Sequence, residues 1–116
     1  MAIRRTVPNV RSTDPAASRE FYVDVLGLEV AMDQGWITTF AAPGNPSAQI
    51  SVMTEDASAP VLPDISVEVD DVDAVHGAAV SRGYEIVHPL TDELWGVRRF
   101  FVREPNGKVV NVLSHR

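Results

Sequence analysis

The sequence contains no cysteine, which excludes disulfides, thiolate metal sites and cysteine nucleophiles together. It also lacks any apolar run approaching the roughly 20 residues that a membrane-spanning helix requires. The opening Met1-Ala2-Ile3-Arg4-Arg5 leads into a strand pattern rather than a signal-peptide core, so the expected location is cytoplasmic and no membrane partner is expected. Positive charge is scarce: 10 Lys and Arg stand against 16 Asp and Glu, for a formal net charge of -6. Those basic residues are scattered, whereas phosphate backbones need them clustered, so nucleic acid is not an expected partner. The acidity favours solubility and suits a cationic or neutral ligand. Glycines occur singly at caps and turns, leaving no phosphate-binding loop or dinucleotide fingerprint, and no serine nucleophile elbow is present.

What is there is an ordinary globular composition, with 45% hydrophobic and 22% charged residues in 116, enough for one core. Asp14 followed by Pro15 is a helix start, because the carboxylate can cap the first turn and proline needs no N–H there. Ala17, Phe21 and Val25 recur at four-residue spacing, with Tyr22 and Leu26 widening the stripe, and Gly27 provides a stop. These signals predict a helix over about 15–26. Strands are expected at Thr6 to Arg11, Glu29 to Met32, Trp36 to Ala41 and Gln49 to Met53, so this half reads βαβββ. After a linker-like stretch from Thr54 to Pro63, the order repeats. A strand of alternating pattern runs from Asp64 to Val69. Asp70 or Asp71 caps a helix bearing Val72, Val75 and Ala79, and Gly83 stops it. Tyr84 to Val87, Val97 to Val102 and Val109 to Leu113 supply three more strands. A shift of 56 residues places Asp14 on Asp70 and Gly27 on Gly83, and a shift of 60 places Phe40 on Phe100 and Ser51 on Asn111.

With two such units in place, two segments identify a family: Asp14-Pro-Ala-Ala-Ser-Arg-Glu-Phe-Tyr-Val-Asp-Val-Leu-Gly-Leu-Glu-Val30 and Phe101-Val-Arg-Glu-Pro-Asn-Gly-Lys-Val-Val-Asn-Val112. They resemble the vicinal oxygen chelate superfamily, which includes glyoxalases, bleomycin-resistance proteins and extradiol dioxygenases. The resemblance implies an α+β fold of two βαβββ modules, each curled into a half-barrel around a cleft. It implies a single domain over 1–116, with modules at about 3–55 and 63–114, and a homodimer. Exposed sheet edges and apolar inner faces would give dimerisation an independent physical motive.

Metal-dependent relatives carry His, Glu or Gln at four inward positions, which the resemblance places on Val7, Ser51, Asp64 and Asn111. Valine offers no ligand, and serine and asparagine bind divalent ions weakly, so no metal or other cofactor is expected. His76 in the second helix, His88 before Pro89 at a strand end and His115 near the C-terminus lack ligand spacing and read as solvated or structural. No catalytic residue is assigned. A carboxylate base remains open, because Asp64 and Glu68 alternate with Ser66 on one strand face.

The candidate ligand-binding residues are Trp36, Phe40, Asp64, Trp95, Arg98 and Asn111. Aromatic faces bury flat ligands at little entropic cost, and arginine adds a planar donor. The run Trp95-Gly96-Val97-Arg98-Arg99-Phe100 resembles the tryptophan-glycine entry to a cleft-lining strand in bleomycin-resistance proteins. Alternation allows at most one of Arg98 and Arg99 to face a cleft, and the aromatics equally suit a core or an interface. Asn111 stands in an apolar row between Val109 and Leu113 and so needs a polar partner. The leading expectation is a metal-free small-molecule binder, with antibiotic sequestration of the bleomycin-resistance kind as its function. The alternatives are a glyoxalase-like lyase or isomerase, or another enzyme of the superfamily, with an atypical site, a metal-free acid–base enzyme using Asp64 or Glu68, or a purely structural or regulatory dimer.

Overall fold

The computed structural model describes residues 2–116, which fall into two compact units. One comprises Val7–Leu62; the other comprises Pro63–Arg116 together with the described residues up to Thr6. Each unit carries a four-stranded mixed sheet and one helix, an α+β arrangement.

In the first unit the elements are β1 (Ile3–Arg11) from Val7 onward, α1 (Pro15–Arg19) continued by a π-helical turn over Glu20–Val25, β2 (Glu29–Asp33), β3 (Ile37–Ala42) and β4 (Asn45–Met53). The strand order is β2-β3-β4-β1, antiparallel except for the parallel β4/β1 pair. The helix starts where the sequence predicts: Asp14 Oδ1 accepts from the Ala17 N–H at 3.2 Å, with Pro15 in the first turn. Its continuation differs. Leu26 N bonds to Phe21 O at 3.2 Å, a five-residue step, and the wider turn takes the four-residue spacing off a single face. Phe21, Val25 and Leu26, expected to form a buried stripe, are therefore exposed, and Tyr22 makes the inward contact by stacking on Phe40 with ring centroids 5.3 Å apart.

The second unit repeats this plan with β5 (Ile65–Val69), α2 (Val72–Ser81), β6 (Ile86–Asp92), β7 (Val97–Arg103) and β8 (Val109–His115). Its strand order, β5-β8-β7-β6, is parallel only at β5/β8. Asp71 caps α2 by accepting from the Ala74 N–H at 3.1 Å, while Asp70 accepts from the Ala2 N–H at 3.0 Å. Gly83, at φ +78°, ends the helix in a left-handed turn that side chains other than glycine's resist. The turn places Tyr84 and Glu85 ahead of β6 rather than in it, and the strand runs on to Asp92. Pro89 is tolerated there because β6 is an edge strand with a register shift between His88 and Thr91. His88, expected at a strand end, consequently lies inside the strand and is buried.

The core of this unit lies between α2 and one sheet face. Val69, Val72, Phe100 and Val112 are buried there, with Val67, Val75, Ala79, Val102 and Val110 packed around them. Phe100 meets the His76 ring edge-on at 4.9 Å, so His76 is a packing residue.

Candidate functional site

Strand alternation decides which side chains remain for function. In the second unit Val67 and Val69 of β5, Phe100 and Val102 of β7, and Val110 and Val112 of β8 turn toward α2. The opposite face must then carry Ser66 and Glu68, Arg99 and Phe101, and Asn111 and Leu113. Register aligns these into rows: Ser66, Asn111, Phe101 and His88 lie side by side across the sheet, followed by Glu68, Leu113, Arg99 and Thr91.

The first row holds Asn111, which is buried. Its Nδ2 donates to Ser66 Oγ at 3.1 Å, whereas its Oδ1 is buried with no hydrogen-bond partner among the described residues. The second row ends in a buried ionic cluster. Glu93, in the β6–β7 hairpin loop, accepts at Oε2 from Arg99 Nε at 2.6 Å and from His88 Nε2 at 3.2 Å. A carboxylate is acceptor-only when ionised, so His88 supplies the proton in that contact. The Arg99 guanidinium lies 5.0 Å from the Trp95 ring and 4.8 Å from the Phe101 ring, within cation–π range of both. Gly96, at φ +88°, permits the tight turn that brings Trp95 back over Arg99.

Beside this cluster Glu68 accepts from Arg5 Nε and His115 Nδ1, each at 2.7 Å. Burial pushes the Glu68 carboxyl up, but the hydrogen bonds from His115 and Arg5, with their charges, outweigh it and hold the group below its ordinary value of 4.5. A depressed carboxyl stabilises the fold above its unfolded pKa and loses that contribution as pH falls through the folded one. Glu68→Gln should therefore unfold with a shallower pH dependence than the parent between about pH 5 and pH 3. Urea midpoints across that window measure this, and identical slopes would contradict the ion-pair assignment.

The residues picked out from the sequence are dispersed. Trp95 and Asn111 belong to the face just described. Arg98 does not: alternation sends it to the helix side, where its Nη2 meets Asp73 Oδ1 at 2.9 Å and its Nη1 meets Asp92 Oδ1 at 3.1 Å. The Arg98 hydrogen bonds hold the Asp73 carboxyl below its usual range. Phe40 lies on the helix side too. Stacked on Tyr22, it is a core residue of the first unit, as Phe100 is in the second. Trp36 is half-buried just before β3. Asp64 is exposed, and its Oδ2 accepts from the Val109 N–H at 2.8 Å, which closes the β5/β8 pairing at its open end. His88, Glu93 and Ser66 were not on that list, and the choice between Arg98 and Arg99 was left open. Counting by twos from Phe101, the register partner of Asn111, leads to Arg99, and Ser66 is the register partner of Asn111 on β5, but nothing local marks Glu93.

The four positions that would hold a metal do not fit one. In the first unit Val7 is aliphatic and Ser51 Oγ is 2.8 Å from Thr39 Oγ1, both buried. In the second, Asp64 is engaged by backbone and Asn111 offers a single neutral oxygen. No group of three or more His, Asp or Glu side chains able to hold an ion occurs among the described residues. Such donors leave too little carboxylate and imidazole character for a divalent centre.

Comparison with known proteins agrees with this architecture. The family model "Glyoxalase/Bleomycin resistance protein/Dioxygenase superfamily" matches residues 3–112. Among solved structures, a superfamily member from Vibrio splendidus 12B01 aligns at TM-score 0.68 and 18% identity, covering 97% of this chain and 99% of that one. Methylmalonyl-CoA epimerase from Mycobacterium tuberculosis aligns at 0.68 and 19%, covering 98% and 87%. A variant of homoprotocatechuate 2,3-dioxygenase from Brevibacterium fuscum aligns at 0.72 and 21%, covering 97% of this chain but 33% of that one. At such identities these likenesses establish the fold alone. No curated protein matches the sequence.

Proposed function

We propose that this chain, which belongs to the glyoxalase/bleomycin resistance protein/dioxygenase superfamily, binds a neutral or cationic small molecule without a metal, on the second-unit face that carries Asn111 and Trp95, and acts by sequestering it. The observation that carries this reading is the orphaned Asn111 Oδ1. A buried acceptor left unmade costs about 1–3 kcal/mol, so a ligand N–H or O–H that reaches it recovers an interaction the protein alone lacks. Trp95, over the Arg99 guanidinium, supplies a flat apolar surface, and the net charge of -6 favours cations over anions at long range.

Sequestration is preferred to turnover because the carboxylates make poor bases. Asp64 is committed to the Val109 N–H, and the depressed Glu68 carboxyl has little affinity for a substrate proton. A glycopeptide of the bleomycin type fits as the compound bound, being cationic with flat heteroaromatic parts.

The test uses a Trp36→Phe background, so that fluorescence reports Trp95 alone. Titration with bleomycin and with neutral and cationic aromatic compounds should give saturable quenching for at least one, with the compound recovered unchanged. Asn111→Leu should weaken that binding about tenfold or more. Absence of quenching across the panel, chemical conversion of the compound, or a stoichiometric divalent ion lost on replacing Asp64 would each overturn the proposal.

A further inference from the structure

On the other side of the second unit, between α2 and the end of β7, lies a pocket of about 270 Å³ that is open to solvent on one side. Its walls include Val75, Ala78, Ala79, Val102 and Pro105, and Tyr84, Arg82, Arg103 and Glu104 complete it. The volume corresponds to that of about nine liquid waters, while the aliphatic walls offer water few partners. Such a space favours an apolar group of similar size.

The charges around it are unequal in their commitments. Arg103 is held by Glu85 Oε1 at 3.2 Å and by the Gly107 carbonyl at 2.9 Å. The Glu104 carboxylate is consumed by its own turn, accepting from the Asn106 and Lys108 N–H groups and from Asn106 Nδ2. Those hydrogen bonds hold its carboxyl below the ordinary value, led by the one from Lys108, so it stays an occupied anion. By contrast, the Arg82 guanidinium and the Tyr84 hydroxyl make no side-chain hydrogen bond or ion pair among the described residues. The last helix carbonyls do not occupy the Arg82 guanidinium. The carbonyls of Ala78, Ala79 and Val80 are taken by the N–H groups of Arg82, Tyr84 and Gly83 at 3.2, 3.1 and 3.0 Å.

An apolar cavity with one uncommitted cation and one uncommitted hydroxyl in its lining selects an amphiphile of matching polarity. The geometry points to a second ligand site, separate from the Asn111 face, for a carboxylate bearing an aliphatic tail of about seven or eight carbons, the tail between α2 and β7 and the carboxylate on Arg82 and Tyr84. The Glu104 carboxylate in the lining repels an anion and the Arg103 guanidinium beside it offsets that charge, while exposed charges more than about 10 Å away are largely screened at ordinary salt.

Octanoate and its neutral counterpart 1-octanol are the probes, titrated into ¹⁵N-labelled full-length chain. Octanoate should shift the amides of Val75, Ala79 and Val102 saturably, with a Kd on the order of 1 mM or tighter. 1-Octanol should bind at least about tenfold more weakly. Arg82→Gln, an exposed substitution, should abolish that preference, and Ala78→Phe should block both compounds by filling the space. Equal affinity for the two probes, an unchanged preference in Arg82→Gln, absence of saturable shifts, or shifts centred on Asn111 and Trp95 would each overturn the assignment. The Asn111 reading is tested separately, with different compounds and a different reporter.

Discussion

Glu93→Ala is expected to destabilise the second unit by about 3–5 kcal/mol, because it leaves the buried Arg99 guanidinium without its carboxylate. Only 4% of the Arg99 side chain and 5% of that of Glu93 is exposed, so water cannot replace the lost partner. The His88 Nε2–H is stranded by the same change. Removing both charges should cost much less: the double replacement Glu93→Leu with Arg99→Met returns apolar volume and leaves no ion to solvate, and such exchanges are often neutral. Urea unfolding of the two variants measures the contrast. A single-variant loss under about 1 kcal/mol would show that Arg99 reaches solvent once its carboxylate is gone.

Phe100→Ala is expected to cost about 3–5 kcal/mol through the cavity it opens beneath α2. The ring is 0% exposed and packs among Val69, Val72 and Val112, with the His76 ring against its edge. Collapse around the void is restricted, because β7 is fixed by pairing on both sides and α2 by its cap. Thermal and urea unfolding should both register the loss, whereas quenching of Trp95 by a bound compound should persist in whatever fraction remains folded. A loss below about 1.5 kcal/mol would mean that the helix can settle into the space, contrary to the packing described.

The two units were legible in the sequence because their punctuation is local. Asp14 with Pro15, Asp71, Gly27 and Gly83 act on the backbone within a few residues, and each does in the structure what its chemistry demands. Period-two alternation was equally readable, and it separates Arg98 from Arg99 correctly once Phe100 is known to face α2. What the sequence left open is which side of each sheet a helix covers. That depends on how the chain returns over the strands, and it is why the sequence alone does not place Phe40 against Tyr22 or Arg98 against Asp73. The π-helical turn was not legible either: a five-residue hydrogen-bond step in Glu20–Val25 has no residue signature. The Glu93 cluster was missed for a third reason. It joins a loop carboxylate to residues five positions before and six after it, and only the bulged hairpin brings them together.

The edge strand β6 has a consequence for self-association. Pro89 lacks a backbone donor, and the irregular pairing on either side of His88 bends Ile86–Asp92 out of a straight ribbon. A neighbouring copy could not extend the ladder there rung by rung, so this border is protected against fibrillar stacking, and contact between copies along it has to come from side chains.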